Sequence, residues 1–152
     1  MKKLLFVLGL LISSKLVALD FTAELTSAVM GGQVDYTREL IAAGADVNAK
    51  TPAGRPMIVL AAANGNKRTV QALITSGADL NAQDAAGNSA LMEAAAFGFD
   101  RVVALLIASG ADVNLTNTAG ESALKKANRA GRTVVAALLQ TAGATEGEAP
   151  AE

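Results

Sequence analysis

The sequence predicts an all-α solenoid of four helix-turn-helix units joined by short loop tips. Three observations carry that expectation. Gly44-Ala45-Asp46-Val47-Asn48 recurs as Gly77-Ala78-Asp79-Leu80-Asn81 and as Gly110-Ala111-Asp112-Val113-Asn114, with a decayed copy at Gly143-Ala144-Thr145, so its glycines stand 33 residues apart. Two more glycine series keep that period: Gly54, Gly87 and Gly120, and then Gly32, Gly65, Gly98 and Gly131. Apolar residues fall at helical spacing after the second series, as Val70, Leu73 and Ile74 and again as Val103, Leu106 and Ile107. A fixed period of this length marks a stacked-repeat architecture.

The first segment reads differently from the rest. Lys2 and Lys3 precede the apolar run Leu4–Ile12, and a more polar stretch then ends on Ala18. That order is expected of a secretory signal peptide over residues 1–18. The run is about half of the ~20 residues a spanning helix needs. Leu16 is large for the cleavage motif, which leaves an uncleaved anchor as the alternative. Cleavage would leave no stable membrane insertion and a protein outside the cytoplasm. From Leu19 onward the chain carries 10 Lys and Arg against 14 Asp and Glu, a net charge of −4.

The repeat domain is expected over residues 19–145, with units at about 18–50, 51–83, 84–116 and 117–145. Each unit opens with a short Ala-rich helix, such as Leu91-Met92-Glu93-Ala94-Ala95-Ala96. Ser89 and Ser122 stand where they can cap a first helix, and Pro56 takes that place in the second unit. Gly65, Gly98 and Gly131 suit the end of a first helix, and Gly77 and Gly110 the end of a second. Helices of two turns do not stand alone in water, so stacking must hold them. Arg38, Glu39, Asn128 and Gln140 are polar where inner copies are small or apolar, as end caps require. Residues 146–152 form an acidic Gly/Pro/Ala-rich tail, expected to be disordered.

Composition narrows the chemistry. Hydrophobic residues make up 51% and aromatics 3%, which suits closely packed Ala-rich helices. There is no Cys and no His. Thiol nucleophiles, thiolate metal sites and Ser-His-Asp catalysis are thereby excluded. A near-neutral charge balance gives no basic face for nucleic acid. Asp46, Asp79 and Asp112 suggest a metal ladder, but one acid per repeat cannot fill a coordination sphere. Followed by Asn48, Asn81 and Asn114, they read as turn braces. Neither a catalytic set, nor a cofactor, nor a metal site is expected.

The phrases Gly54-Arg55-Pro56-Met57-Ile58-Val59-Leu60-Ala61-Ala62, Gly87 to Ala95 and Gly120 to Asn128 resemble the ankyrin repeat, as does the Gly-Ala-Asp-Val-Asn ending. The Thr-Pro-Leu-His tetrad of that family is lost; Val59, Met92 and Lys125 stand where its His would be. The family's hydroxyl–imidazole link between repeats is therefore expected to be absent. The resemblance implies a protein-recognition scaffold that meets partners with its loop tips and first helices. In that register the partner-binding surface comprises Arg55, Met57, Leu60, Asn64, Asn88, Met92, Glu93, Phe97 and Arg129, with Lys50, Gln83, Glu121 and Lys126 beside them. Phe97 has two readings: an exposed anchor, or a ring folded back on Phe99 and Met92 to fill a gap.

The chain is also similar to periplasmic ankyrin self-protection (immunity) proteins of predatory bacteria. That likeness implies an inhibitor, monomeric when free, that binds the producer's own peptidoglycan DD-endopeptidases, which are penicillin-binding-protein-like. The alternative is an accessory scaffold of the kind associated with catalase in oxidative-stress defence. An enzyme is the least favoured class, because proton-transfer and nucleophile constellations are missing.

Overall fold

The computed structural model describes residues 21–147. The expected signal segment, 1–18, lies outside the described residues, as do 148–152 of the expected tail. Among the described residues eight helices follow one another: α1 (Thr22–Met30), α2 (Val34–Ala42), α3 (Met57–Ala63), α4 (Lys67–Thr75), α5 (Ala90–Phe97), α6 (Asp100–Ala108), α7 (Ala123–Arg129) and α8 (Thr133–Thr141). No strand occurs among the described residues. Single antiparallel bridges, Lys50 to Pro56, Gln83 to Ser89 and Thr116 to Ser122, close the three inner loop tips. The all-α repeat architecture expected from the sequence is what is observed.

The first helices α1, α3, α5 and α7 pack on one another in series, and the second helices α2, α4, α6 and α8 form a layer behind them. Ile58, Leu91 and Leu124 recur at the 33-residue period and are all buried, as are Val70 and Val103. Ala61, Ala62, Ala94, Ala95 and Ala127 are fully buried between neighbouring first helices. Their small side chains allow the close axial approach that a two-turn helix depends on for its stability.

Capping follows the sequence. Ser89 Oγ accepts the Met92 N–H at 3.3 Å, and Ser122 Oγ accepts that of Lys125 at the same distance. Pro56, extended at φ −60° and ψ 148°, opens α3. Asn66 Oδ1 also caps α4 through Thr69 N–H at 3.1 Å. Gly98 ends α5 in the left-handed region at φ +80°. The polar residues expected at the ends, Arg38, Glu39, Asn128 and Gln140, are exposed. Glu146, assigned above to a disordered tail, instead accepts a hydrogen bond from Asn128 Nδ2 at 2.6 Å.

The Gly-Ala-Asp-x-Asn phrase does two jobs. Asp46, Asp79 and Asp112 each accept the N–H two residues on, at 2.9 Å. These are the turn braces expected of them. Each following Asn then reaches into the next repeat. Asn48 Oδ1 accepts from Asp79 N–H at 2.8 Å, Asn81 Oδ1 from Asp112 N–H at 2.9 Å, and Asn114 Oδ1 from Thr145 N–H at 2.8 Å. With Val59, Met92 and Lys125 in place of the family's His, this Asn ladder is the regular polar link between repeats.

Candidate functional site

The face formed by the first helices and loop tips divides into a polar half and an apolar half. The polar half joins the third and fourth repeats. Lys126 Nζ donates to Asn88 Oδ1 at 2.8 Å and lies 3.4 Å from Glu93 Oε1. Asn117 Nδ2 donates to the same Asn88 oxygen at 3.0 Å and to Glu121 Oε2 at 3.4 Å. Arg129 closes the chain through an ion pair with Glu121. The Lys126 and Glu93 side chains are only 10% and 13% exposed. Charges this shielded from water need partners, and each has one. The tips are stitched as well: Thr118 N–H and Oγ1 both donate to Ala86 O, and Gln83 Nε2 donates to Thr116 O.

The apolar half lies between the second and third tips. A cleft of about 510 Å³ opens there, bordered by Met30, Pro52, Arg55, Leu60, Asp84 and Ala85. Met30 is 61% exposed. The Arg55 side chain makes no hydrogen bond and no ion pair among the described residues. Asp84 faces it across the cleft, but its Oδ1 is held by the N–H groups of Ala86 and Asn88.

Phe97 closes the outer end of α5. Its ring stacks on Phe99, with centroids 5.9 Å apart and planes 28° apart. Phe99 in turn lies over Gly65 of the preceding repeat, where any Cβ would come within 2.7 Å of the ring. Yet Phe97 remains 51% exposed. The ring is thus braced on Phe99, as the folded-back reading expects, while much of its surface stays open. Aromatic groups held this way lose little freedom when a partner covers them.

The nine residues assigned to the face from sequence do not all reach it. Asn64, Phe97 and Arg129 are exposed, and Arg55, Asn88 and Glu93 are partly exposed. Met57 and Met92 must be corrected, at 0% and 1% exposed, while Leu60, at 7%, reaches the face only as a recessed residue. Each inner first helix is flanked by two other first helices and backed by its own second helix. Only a narrow stripe of its surface stays open. Met57 points inward, where its sulfur receives the Thr26 hydroxyl at 3.9 Å. Leu60 shares its register position with Glu93 and Lys126, but as an apolar residue it forms the floor of the cleft. Met30, Asp84 and Ala85 were missed. Met30 stands three periods before Arg129, an offset that could have placed it on the open stripe.

Among the described residues no group of three or more His, Cys, Asp or Glu could hold a metal ion. No described helix is long and apolar enough to cross a membrane. The family model of ankyrin repeats in three copies matches residues 25–117 and again 58–147. No curated protein matches the chain significantly.

Proposed function

The chain belongs to the ankyrin-repeat family, whose arrays are protein-binding modules, and from that premise we propose that it is a periplasmic inhibitor protein. In this reading it binds the producing cell's own peptidoglycan DD-endopeptidases and protects the cell wall. The observation that carries the binding role is the half-exposed Phe97, stacked on Phe99 at the edge of the first-helix face. A braced, half-exposed aromatic suits an interface anchor, because little freedom is lost when a partner covers it. The closed Glu93–Lys126 and Glu121–Arg129 pairs support a face whose order precedes binding. Inhibition, rather than turnover, fits a surface where the polar groups of this network satisfy one another.

The place and the target rest on other grounds. The basic start, apolar run and small residue at 18 support export. The peptidase target rests on the resemblance to exported self-protection proteins drawn from the sequence. The test is direct. Purified chain beginning at Leu19 should form a stable complex with a DD-endopeptidase and suppress its cleavage of peptidoglycan cross-links. Undiminished cleavage, with no complex at micromolar concentration, would remove this target.

A further inference from the structure

We propose that the cleft between the second and third loop tips receives an extended segment of the partner protein in which a carboxylate side chain lies one or two residues from an aliphatic one. The proposal rests on the protein-binding reading above and names what one part of that face recognises.

Two asymmetries point to this occupant. The first is in the joints between tips. Tips three and four are hydrogen-bonded through Thr118, Ala86, Gln83 and Thr116. No hydrogen bond joins the second tip (51–55) to the third (84–88) among the described residues. At Gly54 a Cβ would still stand 4.0 Å from that of Ala85. The same backbone design thus yields a closed seam at one joint and a cleft at the other. Leu60 floors the cleft and Met30 rims it. Apolar surface in such a recess favours an aliphatic side chain through the water it releases.

The second asymmetry is in the charges. Lys126 and Arg129 are taken up by Glu93 and Glu121. Arg55 has no such partner, and Lys50, which opens the same tip, makes no ion pair among the described residues either. A guanidinium at the wall of an apolar recess matches a carboxylate in shape as well as charge, because its planar fork can donate two parallel bonds. Asp84 occupies the opposite side of the cleft. It repels a second acid there, so the segment that fits carries its carboxylate on the Arg55 side and an apolar group towards Leu60.

The experiment is selection of short random peptides displayed on phage against the full chain, followed by affinity measurement with the synthesised winners. The expected winners carry Asp or Glu within two residues of Leu, Ile, Val or Met. Arg55→Ala should weaken them about tenfold or more, as loss of a charge-assisted contact does. Changing the peptide acid to its amide should cost the same, and the two changes together no more than either. Ala85→Arg, on an exposed tip, should block binding while leaving thermal unfolding unchanged. Winners that are indifferent to Arg55→Ala and Ala85→Arg but lost with Phe97→Ala would overturn the cleft assignment and leave the protein-binding reading standing. Failure to enrich any peptide that binds the first-helix face would count against both.

Discussion

The side-chain oxygen of Asn81 accepts the backbone N–H of Asp112 from the next repeat at 2.9 Å, across 31 residues of sequence. The same bond recurs from Asn48 to Asp79 and from Asn114 to Thr145. It ties each loop to the next without using any core residue. Asn81→Ala removes the acceptor while leaving the Asp79 turn brace on the Asn81 backbone N–H. We expect a loss of about 0.5–1.5 kcal/mol in urea unfolding, the net scale of one hydrogen bond. No change in the unfolding midpoint would show that water replaces the ladder without cost.

Lys126 should be the most sensitive polar residue of the face. Removing its ammonium leaves Glu93 without its donor, and the Asn88 oxygen with Asn117 Nδ2 alone, at a site where little water reaches. Lys126→Met is expected to cost about 1–3 kcal/mol, the range for an unsatisfied shielded polar group. Adding Glu93→Gln to that variant should return part of the loss, since the uncompensated charge is then gone. Equal losses in the single and double variants would mean that the Asn88 contact alone matters.

Two glycines separate backbone strain from packing. Gly65 and Gly131 have nearly the same φ, +69° and +68°. A Cβ on Gly131 meets nothing within 4 Å, whereas one on Gly65 meets the Phe99 ring at 2.7 Å. Gly131→Ala is expected to cost about 1–2 kcal/mol for the left-handed backbone alone. Gly65→Ala must cost more, and it should also perturb the near-ultraviolet signal of the Phe97–Phe99 stack. Equal costs would show that the ring is free to swing away.

Some of these features were legible in the sequence and others were not. The 33-residue glycine series, the Ser89 and Ser122 caps and the polar ends were legible because each is a local demand of the backbone. The Asp46 brace was legible for the same reason. The partner of Asn48 was not, since it lies 31 residues away. Burial of Met57 and Met92 was hidden because it depends on how closely the neighbouring first helices approach. The exposed position of Met30 sat in the least repetitive unit. Which charges pair, and that Arg55 does not, follows only from the joint between particular tips.

Tyr36 is the chain's one tyrosine, so its ionisation can be read alone. Its hydroxyl donates to Glu24 Oε2 at 3.2 Å. Burial, and then the nearby Glu24 carboxylate, push its pKa above the ordinary value near 10. A raised folded pKa means that the neutral phenol is favoured in the fold. Its contribution is therefore fully present below the unfolded pKa and is lost as pH rises through the folded one. Ultraviolet titration of the phenolate should give a midpoint above that of the unfolded chain, and Glu24→Gln should lower it. A midpoint unmoved by Glu24→Gln would break this link between the first two helices.

Phe97 is the residue on which the proposed binding role most directly depends. Calorimetric titration of a DD-endopeptidase with the chain from Leu19, and with its Phe97→Ala variant, measures that residue's share of binding. We expect a complex that weakens by about 2 kcal/mol or more on loss of the ring. Folding stability should fall only by the worth of one aromatic stack, about 0.5–1.5 kcal/mol. An affinity unchanged by Phe97→Ala, with stability alone reduced, would contradict it.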